Sequence, residues 1–194
     1  MSTNERILSP FTLPNGTELK NRLLMAPMTT CTGYYDGTVT SELVEYYRAR
    51  AGSIGTIIVE CCFVDDLGLA FPGAIGIDND EKIAGLAKIA DAIKSKGSKA
   101  LLQIYHGGRM VDPKLIGGRT PVGPSAVAAP RDGAATPVAL TAEEVEGMIG
   151  KFGEAVRRAI QAGFDGVEIH GANTYLIQQF FSPNSNQRAT ASFL

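Results

Sequence analysis

Hydrophobic and polar residues are arranged along the chain in blocks that predict strands and helices in turn. Short β-branched apolar runs indicate buried strands, and longer segments with apolar residues every three or four positions indicate amphipathic helices. The predicted strands cover residues 21–28, 55–60, 99–105 and 166–170, and the predicted helices cover residues 41–50, 80–96 and 141–161. This alternation predicts a parallel sheet covered by helices.

Turn and capping residues support these boundaries. Asn15-Gly16 lies between two short extended runs and predicts a hairpin with a type I′ turn. Thr141 and Glu144 have the spacing of a capping box, so a helix is expected to begin there. Either Thr40 or Ser41 is expected to cap the earlier helix.

The order of elements favours an α/β barrel over a nucleotide-binding sheet. The chain has neither a Gly-x-Gly-x-x-Gly motif after its first strand nor a Walker A loop. Four β/α units amount to half of an eight-stranded barrel, which typically needs about 250 residues. We therefore expect residues 1–194 to form the N-terminal half of a barrel whose C-terminal half is absent, leaving open strand edges.

Composition narrows the function. The chain has 194 residues, of which 44% are hydrophobic, and a net charge of -2, so neither nucleic-acid binding nor a membrane span is expected. Cys31, Cys61 and Cys62 are odd in number and lack metal-ligand spacing, which predicts a reducing cytoplasmic setting and no metal site. Cys31 is expected to be a buried, inert thiol.

Polar residues collect at the ends of the predicted strands, where α/β barrels carry their active sites. Gln103 lies in an otherwise apolar strand, and an unpaired buried amide would cost about 1–3 kcal/mol, so it needs a partner. His170 ends the fourth strand, followed by Asn173 and Tyr175. Arg109, in the Gly-rich loop after the third strand, is expected to pair with a carboxylate.

Three of these segments together resemble the Old Yellow Enzyme family of flavin-dependent NAD(P)H oxidoreductases. They are 26–29 (Ala-Pro-Met-Thr), the strand that carries Gln103, and 170–180, beginning His-Gly-Ala-Asn-Thr-Tyr. The resemblance covers residues 10–188. It implies an eight-stranded (β/α) barrel with an N-terminal hairpin, FMN and NAD(P)H as cofactors, and an α,β-unsaturated small molecule (an enone, enal or nitroalkene) as substrate.

The resemblance also implies roles for single residues. The implied flavin contacts are Pro27, Met28, Thr29, Cys61, Gln103 and His170. His170 and Asn173 would bind the substrate's carbonyl or nitro oxygen, and two fixed donors at such an oxygen stabilise the charge that develops there. Tyr175 would supply the proton, because a phenol with a pKa near about 10 stays protonated at neutral pH.

Two alternatives remain open. In this family a basic residue near the flavin and a phosphate site follow the region that the chain covers, so the chain could be a truncated, non-catalytic half-barrel that self-associates as a homo-oligomer. It could also be a fragment of a flavoenzyme similar to the dienoyl-CoA reductases, whose distinguishing cysteine cluster would lie beyond residue 194.

Overall fold

The computed structural model describes residues 3–189, which form four parallel strands joined through helices. The helices are α1 (Thr3–Leu8), α2 (Ser41–Arg50), α3 (Ile83–Lys94), α4 (Ala142–Gln161) and α5 (Leu176–Phe181). The strands are β1 (Phe11–Thr12), β2 (Glu18–Leu19), β3 (Leu24–Met25), β4 (Thr56–Phe63), β5 (Lys99–Tyr105), β6 (Val122–Gly123), β7 (Val138–Ala139) and β8 (Gly166–Ile169). Single 3-10 turns cover Asp66–Gly68, Asp80–Lys82, Gly108–Met110 and Pro113–Ile116.

The main sheet has the order β3-β4-β5-β8, and each neighbouring pair is parallel. Successive strands are connected through α2, α3 and α4, which confirms the predicted α/β alternation. Thr40 caps α2, and both hydrogen bonds of the Thr141 capping box are present at the start of α4. No helix within residues 3–189 is long and apolar enough to cross a membrane.

The two faces of the sheet have different surroundings. On β5, Leu102 and Ile104 are fully buried in the main hydrophobic core together with residues of α3 such as Leu86. Because side chains alternate along a strand, Gln103 and Tyr105 project from the opposite face. In a barrel this second face points inward, so the fold places these polar groups on the inner side of the sheet.

β4 contains an irregularity near its carboxyl end. Its register against β5 shifts between Val59 and Cys62, so that Cys62 packs in the main core while Cys61 packs against Phe63 in a second cluster. Tyr47 of α2 accepts a hydrogen bond from the Glu60 N–H at 2.8 Å, and its hydroxyl donates to Glu60 Oε2 at 3.2 Å. The tyrosine thus supplies partners that the interrupted ladder leaves free.

The first predicted strand is much shorter than residues 21–28 and is not buried. Only Leu24 and Met25 pair with β4, and Leu24 is 56% exposed. Asn21 uses its side chain to accept from the Leu23 N–H and to donate to the Ser53 carbonyl, which gives the backbone another set of partners. Pro27 has no N–H with which to extend the ladder.

Two further predictions need correction. The hairpin of β1 and β2 is present, but its turn is not type I′, because Gly16 has a positive φ (84°) and Asn15 does not. The Gly16 N–H instead donates to the Leu13 carbonyl, with Pro14 and Asn15 between them. Cys31 is exposed instead of buried, and its backbone is left-handed (φ 57°).

Candidate active site

The carboxyl ends of β4, β5 and β8 lie side by side, and several predicted site residues meet there. Cys61, Tyr105 and Tyr175 belong to one hydrophobic cluster. The rings of Tyr105 and Tyr175 are 5.2 Å apart, and those of His170 and Tyr175 are 4.9 Å apart with an interplanar angle of 87°. His170 follows β8 directly, and its N–H donates to the Ile104 carbonyl. Strand order alone therefore brings together residues from three separate segments.

His170 is neutral and has a defined tautomer. Burial lowers its pKa, and the charge of Glu168 opposes that shift without cancelling it. The Ala172 N–H donates to His170 Nδ1 at 3.4 Å, so the ring proton is assigned to Nε2. The imidazole consequently offers one N–H donor at the rim.

Tyr175 is a protonated phenol. Burial raises its pKa to about 12, and the neighbouring Cys61 adds to the effect. Phe71 packs edge-on against the same ring at 6.3 Å, which encloses it further. At neutral pH the Tyr175 hydroxyl therefore holds a proton that it can donate.

Thr29 and Cys61 form a second polar pair. The Thr29 hydroxyl lies 3.2 Å from Cys61 Sγ. Burial raises the pKa of the Cys61 thiol to about 11, so the sulfur keeps its proton at neutral pH. If the thiol donates to Thr29 Oγ1, the threonine hydroxyl proton is left for another acceptor.

Gln103 has the partner that its buried position requires. Its Nε2 donates to Glu168 Oε1 at 2.6 Å, and the two residues stand opposite each other in the register of β5 and β8. The other polar groups of the Gln103 amide have no protein partner among residues 3–189. A free carbonyl at this position fits the alternating N–H and carbonyl groups of a flavin edge, as do the Thr29 hydroxyl and the Nε2–H of His170.

The loop between His170 and Tyr175 is strained. Asn173 and Thr174 both have positive φ, 53° and 65°, which is unusual for a β-branched residue such as threonine. Gln178 accepts from the Thr174 N–H, and Gln179 donates to the Thr174 carbonyl at 2.6 Å. Strain of this kind persists only where surrounding contacts enforce it, and it is frequent at functional sites.

Not every predicted site residue joins the cluster. Met28 is 61% exposed, Asn173 is also exposed, and Pro27 is partly buried. The prediction that Arg109 pairs with a carboxylate is wrong. Its Nη1 instead donates to three backbone carbonyls, those of Val127, Ala128 and Asn184, and so joins two loops.

Sequence reasoning missed several residues that shape the site. Tyr105 and Phe71 pack against Tyr175, and Glu168 accepts a hydrogen bond from the Gln103 amide. The alternation along β5 was a usable signal for Tyr105, since it shares a face with Gln103. Phe71 lies in a loop, where no periodic pattern marks it.

Comparison with known proteins identifies the family. Residues 6–191 match the profile of the NADH:flavin oxidoreductase / NADH oxidase family. The chain is 87% identical to an NADH:fumarate oxidoreductase of Klebsiella pneumoniae and 60% identical to an NADH:acrylate oxidoreductase of Vibrio harveyi. These matches cover 97% and 94% of this chain but only 20% and 18% of the relatives.

The fold comparison agrees. The structure of the old yellow enzyme from Trypanosoma cruzi matches with a TM-score of 0.89 and 35% identity, over 97% of this chain and 57% of that one. This match confirms the predicted partial (β/α) barrel with its N-terminal hairpin. The chain therefore belongs to the NADH:flavin oxidoreductase / NADH oxidase family, a family of enzymes whose cofactors are FMN and NAD(P)H, as the resemblance in its sequence implied.

Proposed function

We propose that the chain provides the N-terminal half of a flavin barrel that oxidises NAD(P)H and reduces activated C=C bonds. The observation that carries the proposal is the pairing of a neutral His170, protonated on Nε2, with the protonated Tyr175 hydroxyl, their rings 4.9 Å apart. One group is a fixed hydrogen-bond donor and the other a proton donor, which is what reduction of an α,β-unsaturated carbonyl compound requires.

FMN would be held by the residues on the inner side of the strand ends. We assign this role to Pro27, Met28, Thr29, Cys61, Gln103 and His170. The support is the free amide edge of Gln103 and the Thr29–Cys61 pair at 3.2 Å. These residues would bind and orient the flavin, which would supply the redox chemistry, namely hydride transfer from NAD(P)H to the substrate's β-carbon.

The remaining chemistry belongs to the protein. His170 and Asn173 would donate hydrogen bonds to the substrate oxygen on which negative charge develops, and the left-handed conformation of Asn173 fixes the position of its backbone. Tyr175 would protonate the α-carbon. Because its pKa is about 12, the resulting phenolate regains a proton readily at neutral pH.

The names of the similar proteins suggest the substrate class. Fumarate and acrylate are both α,β-unsaturated carboxylic acids. An acid of this kind presents a carboxylate oxygen to the same donors that would bind an enone carbonyl. We therefore propose short unsaturated acids as the first compounds to test.

A second candidate function is NADH oxidation alone, with the C=C bond reduced elsewhere in a longer protein. The observation that favours it is the length of the matched region. The chain is 87% identical to the NADH:fumarate oxidoreductase of Klebsiella pneumoniae but covers only 20% of the length of that protein. In that case the residues of this chain would serve the flavin and NADH, and Tyr175 would not act on fumarate.

Tyr175→Phe separates the two candidates. The protein is purified with FMN, and the two half-reactions are followed by stopped-flow absorbance, with NADH as reductant and then fumarate, acrylate or an enone as oxidant. If Tyr175 is the proton donor, its loss slows flavin reoxidation by about 10²–10⁴-fold and leaves reduction by NADH unchanged. Tyr35→Phe, at a 96% exposed position, is the control and should change neither rate.

A flavin that NADH reduces but that fumarate, acrylate and the enone all fail to reoxidise, in the unaltered protein as well as in Tyr175→Phe, would favour the second candidate. If the unaltered protein neither retains flavin nor oxidises NADH, both candidates fail, and the self-associating half-barrel becomes the better description.

A further inference from the structure

The only hydrogen bond within residues 3–189 that the Gln103 side chain makes is to Glu168, and it settles which way the Gln103 amide faces. The two residues are register partners on neighbouring strands, and the distance from Nε2 to Oε1 is 2.6 Å. A bond of this length to a carboxylate is typical of charge-assisted hydrogen bonds, which are about twice as strong as neutral ones.

The chemistry of a carboxylate makes the orientation unambiguous. An ionised carboxylate can only accept hydrogen bonds, so the –NH₂ end of the amide must face Glu168. The two ends of a glutamine amide have almost the same size, and without such a partner either orientation would fit the space. The Gln103 carbonyl is therefore directed away from Glu168.

The free groups of Gln103 then form a defined pattern. Only one N–H of the amide is used by Glu168, and neither the other N–H nor Oε1 has a protein partner among residues 3–189. Gln103 thus presents one acceptor with one donor beside it, at a position only 7% exposed. The complementary edge of a ligand carries an N–H next to a carbonyl.

We propose that Glu168 is a positioning residue that fixes the Gln103 amide so that its carbonyl accepts from an imide N–H of the bound ligand. This inference rests on the proposed function, in which that ligand is FMN, whose pyrimidine ring carries an N3–H between two carbonyls. Glu168 itself touches neither the ligand nor the substrate. Its role is to exclude the flipped orientation of the Gln103 amide, in which the –NH₂ group of Gln103 would face the imide N–H of the ligand.

Glu168→Gln tests this role because it keeps the size of the side chain and removes the obligatory acceptor. The dissociation constant for FMN is measured by fluorescence quenching, and the hydrogen bond at N3 is read from the ¹⁵N NMR signal of labelled FMN. We expect FMN binding to weaken by about threefold to tenfold, since a single hydrogen bond of about 1 kcal/mol is at stake. The N3 signal should move towards that of a weaker hydrogen bond.

Glu154→Gln is the matched control, because it removes a carboxylate that pairs with Arg157 on the surface of α4. It should leave both FMN measurements unchanged. If Glu168→Gln also leaves the affinity and the N3 signal unchanged, Glu168 does not position the amide.

A measurement without flavin separates this inference from the proposed function. In the flavin-free protein, one side-chain N–H of Gln103 should resonate downfield and exchange slowly, and Glu168→Gln should shift it upfield. This result together with an absence of FMN binding would contradict the proposed flavin function but support the positioning of Gln103. A Gln103 signal like that of a free glutamine, unaffected by the substitution, would overturn the inference.

Discussion

The two histidines of the chain differ in burial, and burial determines how each binds a proton. His106 is 1% exposed and accepts from the Gly108 N–H through Nδ1, so its proton is on Nε2, 3.8 Å from Asp65 Oδ2. Burial, with the nearby Lys151 charge, lowers its pKa to about 3. His170 is shifted in the same direction by burial, but it lies at the rim of the site.

The low pKa of His106 predicts an acid-sensitive fold. Above about pH 6.5 the residue is neutral in both the folded and the unfolded chain and contributes no pH dependence. Below that pH the unfolded chain gains a proton that the folded chain does not, so the free energy of unfolding falls until the pH nears 3. The expected contribution is about 1.4 kcal/mol per pH unit within this window.

His106→Asn should make the dependence shallower, because asparagine offers an acceptor to the Gly108 N–H and does not titrate. Urea unfolding at pH 7 and pH 5 measures the difference. His170→Asn is the comparison, and it should change the pH dependence less because His170 lies closer to solvent. Equal pH dependence in His106→Asn and the unaltered chain would show that another group dominates.

At the scale of single residues, sequence reasoning predicted positions better than contacts. Alternation along a strand was enough to place Gln103 on the face of β5 opposite the main core. It could not predict the bond to Glu168, because that bond depends on the register between strands 65 residues apart. Arg109 also shows the limit, since its Nη1 donates to carbonyls of distant loops instead of a carboxylate, and its buried Nε has no hydrogen-bond partner among residues 3–189.

At the scale of the elements, the contact between the loop after β5 and the start of α5 holds the loop between His170 and Tyr175 in place. Gln179 of α5 is 2% exposed, accepts from the Arg109 N–H, and donates to the carbonyls of Gly107 and Thr174. Gly108 makes this possible, because its φ is +58° and a Cβ there would lie 2.2 Å from Gln179 Oε1. One side chain thus ties the β5 loop to the strained residue beside Tyr175.

Gly108→Ala should therefore destabilise the protein more than backbone strain alone would. The left-handed conformation costs a non-glycine residue about 1–2 kcal/mol, and the displaced Gln179 would lose hydrogen bonds worth a further 1–3 kcal/mol or so. Gly117→Ala is the matched control, since Gly117 has φ +68° with nothing within 4 Å of the added Cβ.

The measurement is the free energy of unfolding in denaturant, together with amide exchange at Thr174 and Tyr175. Faster exchange at these two residues is expected in Gly108→Ala and not in Gly117→Ala. Equal destabilisation by the two substitutions would mean that the Gln179 side chain moves aside without lowering the free energy of unfolding.

Elements with a clear apolar pattern were predicted well, whereas α5 was not predicted and β3 was predicted too long. β5 has the predicted bounds of Lys99–Tyr105, and α4 begins at its predicted cap. α5 has only six residues, including two buried or half-buried glutamines that bind backbone, so its sequence lacks a clear apolar stripe. The proline-limited β3 was overestimated because apolar residues there are exposed at the sheet edge.

At the scale of the whole molecule, the sheet has an open edge beside an apolar groove. Within residues 3–189, β8 pairs with β5 alone, and Ile169 on β8 is 56% exposed. Next to it lies a groove of about 410 Å³ between α4 and α5, lined entirely by apolar residues that include Ile149 and Phe181. Open edges and contiguous apolar surfaces favour association between chains.

We therefore expect this 194-residue chain, when purified by itself, to self-associate through the groove. Ile149→Lys should shift the equilibrium towards the monomer by placing a charge in the groove. Ile160→Lys is the matched control, because Ile160 lies on the same helix, is exposed to a similar degree (53% against 57%), and does not line the groove.

Sedimentation velocity over a range of concentrations measures the effect of each substitution. A monomer at all concentrations, or equal effects of the two substitutions, would show that the groove does not drive association. If further polypeptide completes the barrel, the longer protein should bury the groove, and Ile149→Lys should then reduce its stability instead of its self-association, because an unpaired charge would be forced into an apolar contact.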